Sequence, residues 1–199
     1  MAYNSFKNLK SVVTKFGLNS FRVELFPEAI LPIEPSDFLL TALRKARKMP
    51  ITNEKSKSER IVSPILMEVA EYFEASISLF SGEDLSVEGS TDLTGECDFF
   101  FALHPPKDYM EAPVISLTEA KDENMEYGIA QCAAQMYGAK LFNEQEGRTD
   151  ITVIYGCATT GDEWQFLKLE NNIFYIDRTP RTHLPEILGI WKMLLSSYL

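Results

Sequence analysis

The chain has 199 residues, 45% hydrophobic and 24% charged, which is one domain's length and an ordinary globular balance. No apolar run reaches the roughly 18 residues needed to cross a bilayer, so no membrane span is expected and a cytoplasmic location is the default. The net charge of −10 is uneven: residues 1–60 hold 11 Lys and Arg against 6 Asp and Glu, and residues 61–199 hold 8 against 23. That balance argues against a nonspecific nucleic-acid coat protein, while the basic N-terminal portion is free to face either phosphate or solvent.

In chain order, Phe6, Leu9, Val13 and Phe16 fall at helical spacing and predict a short amphipathic helix rather than a signal peptide. Pro27, Pro32 and Pro35 mark an extended connector. Ser36 and Asp37 read as a cap for a helix carrying Leu39, Leu40 and Leu43. That helix ends in Arg44, Lys45, Arg47 and Lys48, a basic last turn that suits the helix dipole. Residues 51–60 are polar and predict a loop, with Ser58 capping a second helix over 59–74. Strands are predicted at 76–80, 97–103 and 113–121, with 81–84 as a turn and 85–88 as a short strand or its flank. A helix follows over 125–143, then strands at 151–157, 164–169 and 173–176, and a last helix over 184–198. Three strands in a row and a single central crossover helix give an α/β fold with a mixed sheet and helices on both faces. Residues 1–50 form a helical and extended portion packed on a core of 51–199. No Gly-rich phosphate loop follows a strand.

Cys97, Cys132 and Cys157 are odd in number and widely spaced, as buried reduced thiols are. His104 and His183 stand apart and receive no role. The chemistry concentrates elsewhere. On the strand over 113–121, alternation puts Ile115, Leu117, Glu119 and Lys121 on one face, two apolar and two charged. Asp98 lies in the preceding strand between apolar neighbours, where a carboxylate requires a cation, a hydrogen bond or a proton. If the two strands pair, Asp98 and Glu119 approach, and a hard divalent cation relieves their repulsion, with the Ala120 carbonyl as a further oxygen. Lys121 then orients a nucleophile or stabilises phosphate charge, or acts as a base if its pKa is lowered. The plain structural alternative is a salt-bridged strand end.

Gly95-x-x-Asp98, then Glu119-x-Lys121, then a helix bearing Gln131 resembles the PD-(D/E)XK nuclease superfamily. That resemblance implies the restriction-endonuclease-like fold, in which a helix, a three-stranded meander, a second helix and a further strand follow in this order. It implies metal binding by Asp98 and Glu119, a catalytic role for Lys121, and an accessory metal-binding glutamate on the first core helix. Glu59 is the best match for that glutamate, with Glu68 and Glu71 behind it. Gln131, with Gln135 one turn further, matches a glutamine found in several branches. Cys97 stands where a proline is often found. Over most of its length the chain is similar to uncharacterised bacterial members common in cyanobacteria, through stretches such as Ser63-Pro64-Ile65-Leu66 and Gln131-Cys132-Ala133-Ala134-Gln135-Met136. The expected function is a nuclease using Mg2+, or Mn2+, on DNA. The alternatives are a silent nuclease-fold interaction protein, or a subunit whose site works only in a homo-oligomer or with a partner.

Overall fold

The computed structural model describes residues 3–121 and 124–199. Its elements are α1 (Leu9–Phe16), β1 (Asn19–Val23), α2 (Asp37–Ala46), α3 (Glu54–Lys57), α4 (Ser63–Glu71), β2 (Ser78–Asp84), β3 (Glu96–Ala102), β4 (Val114–Ala120), α5 (Met125–Gln145), β5 (Val153–Thr159), β6 (Trp164–Glu170), β7 (Ile173–Asp177) and α6 (Leu184–Ser196). A π-helical turn, Ser58–Val62, joins α3 to α4 in one continuous rod. The seven strands form one mixed sheet in the order β1-β7-β6-β5-β4-β3-β2. Only β4–β5 and β1–β7 pair in parallel. The first of these parallel pairs needs a long crossover, and α5 supplies it.

The sheet is covered on both sides. Tyr3, Phe6, Val12, Phe100, Leu117 and Met136 pack between it and α1 and α5. Leu39, Leu66, Phe101, Phe166 and Trp191 pack between its other face and α2, α4 and α6. The α/β class and the mixed sheet with helices on both faces therefore agree with the sequence. Among the described residues, no helix is long and apolar enough to cross a membrane.

Three boundaries differ from expectation. The helix expected from residue 59 begins at Glu54, because Asn53 accepts the Ser56 N–H and the Ser56 hydroxyl reaches back to the Asn53 backbone, a reciprocal cap inside the supposed loop. The turn expected at 81–84 belongs to β2, and 85–88 is the flank of that strand, held by backbone bonds from Leu85 to Gly95 and from Val87 to Leu93. β1 escaped notice because it is an edge strand with no buried side chain, so it lacks the alternation that marks a half-buried strand.

One irregularity matters for the site. β3 and β4 pair in register at Phe99–Thr118, Phe100–Leu117 and Phe101–Ser116, then shift so that Ala102 faces Val114. The extra residue is a β-bulge. It turns Ile115 into the α2/α4/α6 core while Leu117 stays on the α5 side, so these two do not share the face that simple alternation assigns them. Buried Asn143 pins the bulge: its side chain accepts the Val114 N–H at 2.8 Å and donates to the Val114 carbonyl at 2.7 Å. Asn143→Leu strands both backbone groups, and urea unfolding should show a loss of about 1–3 kcal/mol; an unchanged stability would mean that the pin contributes nothing.

Candidate metal centre at the end of β4

Gly95 opens β3 at φ 126°, a conformation that side chains rarely adopt. Regular alternation then fails at Asp98: Cys97 packs on the α5 side and Phe99, two residues on, packs on the other. The β3–β4 ladder also ends here, with Phe99–Thr118 as its last pair. Beyond it, one Asp98 carboxylate oxygen accepts the Ala120 N–H at 2.8 Å. A side chain thus takes the place of a backbone acceptor, and half-buried Asp98 is fixed against the strand that carries Glu119 and Lys121.

Glu119 is 4% exposed on a strand that is buried throughout. One of its oxygens lies 2.7 Å from the Lys121 ammonium. The other accepts an amide proton of Gln135 at 2.7 Å. Lys121 also donates to Glu54 of α3 at 3.0 Å, and its backbone N–H continues the β4–β5 ladder to Thr159. Its stem lies against Gly128: a β-carbon there would stand 3.0 Å from Lys121 Cγ and 3.3 Å from Ala158 Cβ. A side chain at 128 would press on the lysine stem, so α5 sits close over it.

The charge balance of the cluster is its main chemical property. Burial raises the Asp98 carboxyl above its usual range; the Ala120 N–H and Lys121 oppose the rise, while Glu54 and Glu96 add to it. Burial, and next the Asp98 carboxylate, push Glu119 up to about 7, with Lys121 and Gln135 restraining it. For Lys121, burial works against the ammonium, but Glu119 and Glu54 outweigh it and hold the pKa above the ordinary value. Lys121 is therefore a cation, and the neutral-base role is not the one this environment favours. Asp98, Glu119 and Glu54 set three carboxyls against one ammonium. That surplus is anionic and its donors are all oxygen, the kind a hard cation prefers.

Among the described residues, no group of three or more His, Cys, Asp and Glu side chains is arranged to hold a metal ion. Magnesium commonly takes only one or two protein carboxylates, with water and substrate completing its shell; Asp98 lines the cleft with Glu54, Glu59 and Glu96, while Glu119 is buried. Each carboxylate oxygen has two lone-pair sites, so the existing bonds of Glu119 leave it capacity.

The remaining expected residues are placed unevenly. Ala120 is buried between Glu119 and Lys121, with its N–H given to Asp98. Gln131 is buried on α5 with its carbonyl oxygen lacking a partner, and Gln135, one turn on, is the glutamine that touches Glu119. Glu59 is exposed, 3.8 Å from Lys55, on the wall of a cleft of about 330 Å³ that also includes Asp98, Glu96 and Glu54. The first-helix glutamate that reaches the lysine is Glu54, hidden from the sequence reading by the supposed loop. Its signal was the Asn53–Ser56 cap directly before it. Glu68 is explained structurally, since it accepts the Ser36 N–H at 2.7 Å and the Ser36 hydroxyl at 2.5 Å and so anchors α2. Glu71 is exposed on the wall of a larger, mostly apolar groove between α4 and β2 that lacks the strand-end carboxylates. All three cysteines are buried and free. His104 binds Ser78 and the Pro105 carbonyl, and His183 precedes α6 as an exposed residue.

No protein-family model and no curated protein matches the chain.

Removing one member of a buried ion pair strands the other. Lys121→Met should therefore lower unfolding stability by about 3 kcal/mol, and adding Glu119→Gln should restore most of it. Equal losses in the single and double variants, read by urea titration, would show that the pair is not coupled.

Proposed function

We propose that the chain is a nuclease of the PD-(D/E)XK superfamily, with the restriction-endonuclease-like fold, hydrolysing phosphodiester bonds of DNA with magnesium or manganese. The observation that carries this reading is the buried Glu119–Lys121 pair beside Asp98, at the point where two strands cease to pair. The element order supports it: a helix over 54–71, the antiparallel meander β2-β3-β4, then α5, then β5 parallel to β4.

Asp98 and Glu119 would hold the ion, with Glu54 or Glu59 as the accessory carboxylate from the first helix. When bound, the metal supplies Lewis acidity and a more acidic water. Lys121 keeps its positive charge and steers the nucleophile toward phosphorus or stabilises charge on the attacked phosphate. Gln135 fixes the Glu119 carboxylate and Gly128 seats the Lys121 stem, so the lysine is positioned from behind by α5. Gln131, with its free carbonyl oxygen, is available to the substrate or to the lysine.

A second reading is a nuclease-fold interaction protein without turnover. The closed chain of bonds Gln135–Glu119–Lys121–Glu54 favours it, because each of those charges already has a partner. Supercoiled plasmid separates the two. Purified protein with magnesium or manganese should nick it, and Lys121→Ala or Asp98→Asn, the latter keeping the acceptor for Ala120 N–H, should each cut the rate by about 100-fold or more. Nicking that survives both substitutions would belong to a contaminant, and no nicking by wild type under either metal would favour the interaction protein.

A further inference from the structure

We propose that an exposed cationic ledge, formed by the end of α2 and the start of α3, docks the phosphate backbone of a nucleic acid and leads it into the Asp98 cleft. The inference rests on reading that cleft as a phosphodiester-cleaving site, and it names the surface that selects a polymer as substrate.

Residues 44–60 hold seven Lys and Arg against two Glu, in a chain whose net charge is −10. Arg44, Lys45, Arg47 and Lys48 are all exposed. Among the described residues, none of these four forms an ion pair, although the chain as a whole has an excess of carboxylates. The two halves of the ledge are joined: Arg60 donates to the Pro50 carbonyl at 2.6 Å, and Arg47 shares a small cleft with Ile61. The ledge also reaches the site, because Lys55 lines the Asp98 cleft together with Ser58 and Glu59. Its own contact to Glu59 is long, 3.8 Å, between two exposed side chains, and such a pair yields readily to a stronger anion.

Helix electrostatics explain only part of this cluster. The negative end of α2 favours Arg44 and Lys45, but Lys55 sits in the first turn of the rod that runs on to Glu71, where the dipole disfavours a cation. An external anion satisfies both ends at once. The ledge spans two elements, so it engages several phosphates of a chain rather than one nucleotide. Lysine and arginine on phosphate position a nucleic acid without reading its sequence. A membrane surface fits less well: Met49 is the one exposed large apolar side chain beside Arg44–Lys48, while Phe38 and Leu40 lie toward the start of α2.

Fluorescence anisotropy with a labelled DNA duplex of about 20 base pairs, with metal chelated and salt varied between about 50 and 200 mM, tests this. The variant Arg44→Ala/Lys45→Ala/Arg47→Ala/Lys48→Ala changes exposed side chains only. It should bind about 10-fold or more weaker at the lowest salt, with a salt dependence shallower by about 3 in log–log slope. Lys10→Ala, which removes an exposed cation from α1 on the other side of the sheet, should bind as wild type does. Unchanged affinity and slope in the ledge variant would overturn the inference. So would failure of wild type to bind duplex, or binding to phosphatidylserine vesicles in its place. Ledge-dependent binding without cleavage on adding magnesium would keep the ledge and defeat the nuclease reading; cleavage with ledge-independent binding would do the reverse.

Discussion

The buried pair of Glu119 and Lys121 is the interaction on which the end of β4 depends. Two charges on one strand, each less than a tenth exposed, persist only with partners in place. Those partners come from three directions: Gln135 from the crossover helix, Glu54 from the first helix of the core, and the end of the β4–β5 ladder through Thr159. Each of these contacts requires the sheet, the crossover and the first helix to be where they are. The pair is thus both a product of the fold and the feature that gives its open edge a chemical character.

The rest of the structure is arranged to keep that edge defined. The bulge at Ile115, held by Asn143, sets which side chains of β4 face α5. The loss of alternation at Asp98 lets its carboxylate reach the Ala120 N–H. Asp98 is half-buried on the wall of a cleft that α3 also lines, and buried Glu119 and Lys121 are bonded to each other, with Lys121 reaching Glu54 on that same wall. The surplus of carboxyl groups there contrasts with the cationic ledge beside it. The proposed function draws on both: a carboxylate-rich cleft suits a divalent cation and a cationic surface suits a polyanion.

Much of this was legible in the sequence because it follows from short-range rules. The order of helices and strands, and so the mixed sheet with helices on both faces, came from periodicity and turn residues. Asp98, Glu119 and Lys121 stood out because charges in apolar strands are rare. What the sequence did not yield depended on local geometry that periodicity averages away. Ile115 changed face through a one-residue bulge. Glu54 lies in a polar stretch that reads as a loop and is a capped helix start, and spacing along α5 does not say which of Gln131 and Gln135 meets Glu119. β1 was invisible because an exposed edge strand needs no apolar face.

The proposed function requires that Asp98 and Glu119 bind a divalent cation together. Calorimetric titration of Mn2+ into the wild-type protein and into Asp98→Asn tests it most directly. The account predicts a single site per chain with a dissociation constant of about 1 mM or tighter, lost or greatly weakened in Asp98→Asn and equally in Glu119→Gln. No heat of binding in the wild type at millimolar Mn2+, or binding unchanged by both substitutions, would contradict it.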